Sequence, residues 1–187
     1  MKKIFFILIV LSYIIYADKI NGYNELHDAL FNGNDKKAIS LITNKKLINS
    51  KTKAGITPLH MSIKLRKNDI SQKLVESGAD INAKDNNGLT PLHYAIAQNQ
   101  TEFAKYLINK KADMDIQNNE GVTPLHQAAY SGNNSLVKYM IDRDADTAIE
   151  NKQGFTACQL ALLKKDIGVV NIISSKDRKS CEIKAKR

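Results

Sequence analysis

The chain has 187 residues, 43% of them hydrophobic and 25% charged, a composition that fits one ordinary domain or a short repeat array and excludes a disordered chain or a polytopic membrane protein. Lys and Arg number 28 against 19 Asp and Glu, a formal charge of +9, which favours anionic surroundings without specifying nucleic acid. Two cysteines, no tryptophan and 6% aromatics rule out a disulfide-dense miniprotein and argue against an aromatic platform for single-stranded nucleic acid.

The chain opens on Met1, Lys2 and Lys3, followed by an apolar run from Ile4 to Ala17 that is broken only by Ser12, Tyr13 and Tyr16. This run falls short of the roughly twenty residues of a membrane-spanning helix. A small residue, Ala17, stands before the polar Asp18. Basic start, short apolar stretch and small residue form the grammar of a signal peptide, so residues 1–17 are expected to be cleaved after Ala17. Ile15 is less typical than alanine at its position, which leaves an uncleaved amphipathic anchor as the alternative. No cysteine follows the run for acylation, so a soluble product in the periplasm or secreted is expected. Without Lys2 and Lys3 the charge is +7. Residues 176–187 hold six basic and two acidic residues, so the intervening body is only about +3 and the basic character sits in a tail expected to be solvated. The abundance of lysine, isoleucine and asparagine points to an AT-rich coding sequence and a bacterial source.

From there the chain repeats itself every thirty-three residues: Thr57-Pro58-Leu59-His60, Thr90-Pro91-Leu92-His93 and Thr123-Pro124-Leu125-His126. Gly22, Gly55, Gly88, Gly121 and Gly154 keep the same register, and so do Leu26-His27 and Thr156-Ala157-Cys158-Gln159. Five frames fit, 19–51, 52–84, 85–117, 118–150 and 151–183. In each inner frame glycine supplies a turn that a side chain would strain, and threonine is a good N-cap. Proline at the first helical position loses no bond, because its missing N–H would have had no partner. A first helix is marked by Leu92, Ala95 and Ile96, matched by Leu125, Ala128 and Ala129. A second is marked by Phe103, Ala104, Leu107 and Ile108, matched by Leu136, Val137, Met140 and Ile141. The second frame closes on Gly78-Ala79-Asp80-Ile81-Asn82, a helix-ending glycine before a polar extended segment.

The Thr-Pro-Leu-His motif, the turn glycine and the Gly-Ala-Asp-Ile-Asn close resemble those of the ankyrin repeat family. The resemblance implies an all-α solenoid of about five helix-turn-helix repeats with short β-hairpin-like fingers, spanning 18–175, with residues 176–187 outside it. Repeat one carries Asn24-Glu25 for Thr-Pro and Lys45-Lys46-Leu47 for Gly-Ala-Asp, so it reads as a cap. Repeat five keeps Gly154 and Thr156, loses proline and histidine, and has Ser174 where Ile108 and Ile141 stand, so it reads as the other cap. Lys111 and Asp144 replace the closing glycine in repeats three and four.

Four histidines, His27, His60, His93 and His126, occur one per repeat, a spacing that keeps them apart and brings no metal-ligand cluster. The resemblance implies that each bonds backbone between neighbouring repeats. Phosphate loop, nucleophile elbow and HExxH helix are all missing from the sequence, and Tyr94 and Tyr130 read as contact residues. No enzymatic activity, cofactor or metal is expected. Cys158 holds the place of the motif leucine, where a small buried hydrophobe is expected. Cys181 lies in the basic tail, with three states open to it: a bond to Cys158, a free thiol, or a bond to another molecule.

The function expected is a module that binds another protein through a concave face. At the fingers the candidate contact residues are Lys53, Ile56, Asn86, Asn87, Leu89, Asn119, Glu120, Val122, Lys152, Gln153 and Phe155. On the first helices they are Lys64, Leu65, Ala97, Gln98, Tyr130, Ser131 and Leu163. Apolar Ile56, Leu89, Val122 and Phe155 beside amides and lysines suit a partner interface, although packing finger on finger is the expected first use of the same four side chains. Tyr130 and Phe155 are the candidate anchors. A secreted effector that binds a host protein and an envelope scaffold whose tail contacts anionic lipid or polymer are the alternatives; specific nucleic-acid binding is not expected.

Overall fold

The computed structural model describes residues 22–182. The expected signal peptide lies outside them, as do the last five residues of the basic tail. The chain divides between Asp80 and Ile81 into two compact units, each built from antiparallel helix pairs. Among the described residues there are eleven α-helices and no β-strand, and no helix is long and apolar enough to cross a membrane.

In the first unit α1 (Glu25–Phe31) and α2 (Asp35–Leu41) form one pair, and α4 (Pro58–Lys64) and α5 (Asn68–Glu76) form the next. Between them a single turn, α3 (Lys45–Ile48), takes the place of the Gly-Ala-Asp close, capped by the Asn44 side chain. Asn24 does the work of the missing threonine by accepting from the backbone N–H groups of Leu26 and His27. Stacking α1 on α4 and α2 on α5 buries Leu26, Leu30, Leu59, Ile63 and Leu74 completely. Each such side chain is worth about 1.5–3 kcal/mol relative to exposure. Ser71 donates to Ser62 at 2.7 Å inside this core, and both hydroxyls thereby avoid the cost of burial without a partner.

The second unit contains α6 (Pro91–Ala97), α7 (Thr101–Asn109), α8 (Pro124–Tyr130), α9 (Asn134–Ile141), α10 (Ala157–Leu163) and α11 (Ile167–Lys176). The first helices α6, α8 and α10 pack in sequence, and so do the second helices α7, α9 and α11. All fourteen positions marked by helical spacing in frames three and four are buried. The fingers between helix pairs are turns. Asn119 N–H donates to Asn87 O at 2.9 Å, and Lys152 N–H donates to Glu120 O at 3.0 Å. Gly121 makes the second contact possible. Its φ is +74°, and a Cβ there would lie 2.8 Å from Lys152 N, so both the conformation and the close approach demand glycine.

The substituted closing glycines do not change the local geometry. Lys111 and Asp144 adopt φ of 69° and 61°, the left-handed region also held by Gly78 at 93°. The second helices therefore end in the same way, with backbone strain stored at two residues that carry a Cβ.

The basic tail departs from expectation. Residues 176–182 belong to the fold: after α11 the chain turns into a short 3-10 helix, Lys179–Cys181, which packs on α10 and α11. Cys181 is bonded to Cys158, Thr147 Oγ1 donates to Asp177 Oδ2 at 2.8 Å, and Lys176 pairs with Asp144 at 2.6 Å. Charge pattern pointed to solvent, but the covalent bond and the uncovered face of the last helix pair hold this segment down. In the chain-entropy view, a cross-link spanning 23 positions stabilises by about 3 kcal/mol.

Lys111→Gly is expected to stabilise the second unit by about 0.5–1 kcal/mol through relief of the left-handed strain. Lys111→Val is expected to destabilise it. Urea unfolding midpoints of the three proteins check both directions.

Candidate functional site

The repeated motif assembles one hydrogen-bonded unit in each inner repeat. Thr90 caps α6 and is approached by the His93 ring: Thr90 N–H donates to His93 Nδ1 at 3.2 Å, and the Thr90 hydroxyl lies 2.8 Å from the same nitrogen. Thr123 with His126, and Thr57 with His60, repeat the arrangement. Because a backbone N–H points at Nδ1, that nitrogen must accept, and the ring proton resides on Nε2. His93 Nε2 then donates to Val122 O at 3.0 Å, and His126 Nε2 to Phe155 O at 2.9 Å. His27 Nε2 lies 3.1 Å from Ile56 O. Each of these contacts reaches 29 residues along the chain and ties a helix start to the next finger, as the resemblance implied.

Burial disfavours the charged ring. It holds His27 and His126 below the usual histidine range and lowers His93 to about 4, against the opposing pull of the accepting carbonyls. These rings are neutral struts. Among the described residues, no group of three or more His, Cys, Asp or Glu is placed to hold a metal.

A second repeated device escaped the sequence reading. Asp85 Oδ1 accepts from Asn87 N–H at 2.9 Å and Leu89 N–H at 2.8 Å. Asn118 Oδ1 accepts from Glu120 and Val122, and Asn151 Oδ1 from Gln153 and Phe155. Thr52 Oγ1 accepts from Ile56 N–H. The signal was present as a short polar residue five positions before each motif threonine. Such residues fold a loop by bonding their own following backbone. Asp85 also accepts the Tyr94 hydroxyl at 3.0 Å, which, after burial, raises the Tyr94 pKa and gives this side chain a structural duty.

Repeat five replaces the histidine without losing its bonds. Gln159 Oε1 accepts from Thr156 N–H at 3.0 Å, as Nδ1 does elsewhere, and Gln159 Nε2 donates to Glu182 O in the tail. Thr156 Oγ1 donates to Ser180 O. Residues 180–182 thus receive the bonds that another finger would have received.

The candidate contact residues fall into three groups. Ile56 in the first unit and Leu89, Val122 and Phe155 in the second are half-buried, so each divides its side chain between the finger and solvent. Asn86, Asn87, Asn119, Glu120, Lys152 and Gln153 are exposed, as is Lys53 in the first unit. Asn119 nevertheless has a fold role, since its Nδ2 donates to Asn86 O at 2.9 Å. At the helix ends Ala97 and Ser131 are exposed and Gln98 is half-buried, with Lys64 and Leu65 exposed in the first unit. Tyr130 is 57% and Leu163 60% exposed, at equivalent positions of the packed helices α8 and α10. Lys164 Nζ sits 4.5 Å from the Tyr130 ring centroid, and Ile167, at the start of α11, is 62% exposed. Lys164 and Ile167 had no sequence signal, because only the packing of α10 shows which side of it is uncovered.

A chain of capped helix pairs with glycine turns and threonine-histidine struts that tie His93 and His126 to the following fingers is a helical repeat protein of the solenoid class. The family model for ankyrin repeats (3 copies) matches residues 26–118 and 100–186, and the chain belongs to the ankyrin repeat family. A comparison with curated proteins returns no match. Ankyrin repeats generally mediate protein–protein interaction, and proteins built from them are typically non-enzymatic.

Since the fold holds His93 neutral, the unfolded chain binds more protons between about pH 6.5 and 4. Stability from this group is therefore complete above pH 6.5 and is lost as pH falls toward 4, by about 3 kcal/mol. His93→Gln, which copies the bonds of Gln159 without a titrating ring, is expected to flatten that part of the stability curve. Urea titrations at pH 7 and pH 4.5 compare the two proteins.

Proposed function

We propose that this protein is a non-enzymatic binding module that acts after export and recognises another protein through the finger turns and the ends of its first helices. The observation that carries this reading is the exposed pair Tyr130 and Leu163. Both stand on the scaffold's own helices, and neither is needed to fill the core. A rigid platform presenting an aromatic ring, a neighbouring lysine and aliphatic side chains has the composition of an interface anchor with a polar rim. The motif residues Thr90, His93, Thr123 and His126 are consumed by the fold, so chemistry on a substrate is not assigned to them.

Export is supported by two independent features. The basic, apolar and small-residue order of residues 1–17 is that of a signal peptide, and the Cys158–Cys181 bond suits an oxidising compartment. Residues 176–182 are assigned to the cap, because Lys176 pairs with Asp144 and the backbone of 180–182 receives bonds from Thr156 and Gln159.

Crosslinked pull-down of the tagged protein from separated cell fractions is the test. A dominant protein partner is expected, and Tyr130→Ala with Leu163→Ala is expected to weaken its capture by about tenfold or more while the melting temperature stays close to that of the parent. Capture from host material would identify an effector. Unchanged capture by the double variant would move the contact to another face.

A further inference from the structure

We propose that the Cys158–Cys181 disulfide is a redox lock on the carboxy-terminal cap, so that a dithiol reductant releases residues 177–182 and opens the last helix pair while the repeats before it stay folded. Three observations lead there.

Cys158 occupies the slot filled by Leu59, Leu92 and Leu125 in the preceding repeats, and all four are fully buried. A cysteine is smaller than a leucine, and here the second sulfur and the Cys181 side chain supply the missing bulk. Breaking the bond therefore underfills a core position at the same moment that it frees the tail. The other ties on the segment are non-covalent: the packing of Lys179–Cys181 on α10 and α11, the hydrogen bonds from Thr147, Thr156 and Gln159, and the solvent-exposed Lys176–Asp144 pair, which contributes little.

The last repeat is also the one least able to stand alone. An end repeat has a single repeat neighbour, and repeat stability is a sum of intrinsic and nearest-neighbour terms. Helix α11 is poor in intrinsic propensity: it holds Gly168, β-branched Val169, Val170, Ile172 and Ile173, and carries Ser174 and Ser175 in its last turn. Only Val169 and Ile173 of α11 are fully buried.

The bond is asymmetric toward solvent. Cys158 is fully buried, whereas Cys181 is partly exposed. A thiolate of the dithiol attacks Cys181 Sγ and forms a mixed disulfide, and Cys158 leaves as a thiolate that takes up a proton. The second sulfur of the dithiol then displaces Cys181, which is protonated in turn. The protein gains two electrons and two protons, and the dithiol ends as a disulfide. Reduction would remove α10, and with it Leu163 and Lys164 beside Tyr130, from the ordered surface. The lock itself stands on the fold and does not depend on the binding reading.

Hydrogen exchange of the full chain, with and without dithiothreitol at neutral pH, tests it without any partner. Amides of 157–182 are expected to lose protection by about tenfold or more on reduction, with those of 58–76 and 91–109 unchanged. Cys158→Ala with Cys181→Ala is expected to show the same local loss in oxidising buffer. Unaltered protection of 157–182 in either the reduced protein or this variant would overturn the proposal, and so would an equal loss throughout the chain or a bond that resists dithiothreitol until the protein is unfolded. Partner capture with and without dithiothreitol is then a separate reading: failure to bind in both states would sink the binding function and leave the lock untouched.

Discussion

Two junctions in the second unit each depend on one buried imidazole, His93 or His126, that is asked to do two things. Its Nδ1 must accept from the threonine that starts its own helix, and its Nε2 must donate to a carbonyl in the following finger. Only the neutral ring can do both, and burial enforces neutrality. The cap, the helix start and the position of the next repeat are therefore set by one side chain. The consequence is a fold whose local and long-range bonds are the same bonds, which is why a helix of two turns persists where an isolated peptide of that length would not.

The carboxy-terminal end shows what happens when this device must stop. Gln159 retains the two-sided bonding, but its donor finds the tail backbone where a finger would be. The tail contributes almost no apolar side chain of its own, so it is fixed by a covalent bond placed in the leucine slot. At the amino-terminal end the same need is met by simpler means: Asn24 replaces the threonine as cap, and a single helical turn replaces the closing loop. Two ends of one repeat pattern are thus closed by different chemistry, one by non-covalent caps and packing among the described residues and one by a bond that a reductant can break.

Once the motif residues are committed to the fold, the surface is divided unequally. The finger turns are stiffened from within by Asp85, Asn118 and Asn151 and from outside by finger-to-finger bonds, so their side chains present a fixed outline. Leu89, Val122 and Phe155 spend part of their area on that outline. Tyr130 and Leu163 spend little, and they sit on helices held by the core. A surface built this way would lose little conformational entropy on meeting a partner.

Much of this was legible in the sequence. A strict period of thirty-three, a threonine-proline helix start and apolar residues at helical spacing determine local structure with no help from distant residues, so the helix pairs, their buried faces and the family could all be read from the chain. Lys111 and Asp144 show the strength of that register: the backbone keeps its left-handed turn even where glycine is missing. The course of the last residues could not be read in this way. Charge alone sent residues 176–182 into solvent, and the state of Cys181 stayed open, because a bond across 23 positions depends on where two segments lie in space. Likewise Ile167 and Lys164 acquire meaning only from the packing of α10 and α11. Sequence determined what repeats, because those interactions are local and periodic; tertiary structure decided how the repetition ends and which side chains remain uncovered, because both depend on what lies against the final face.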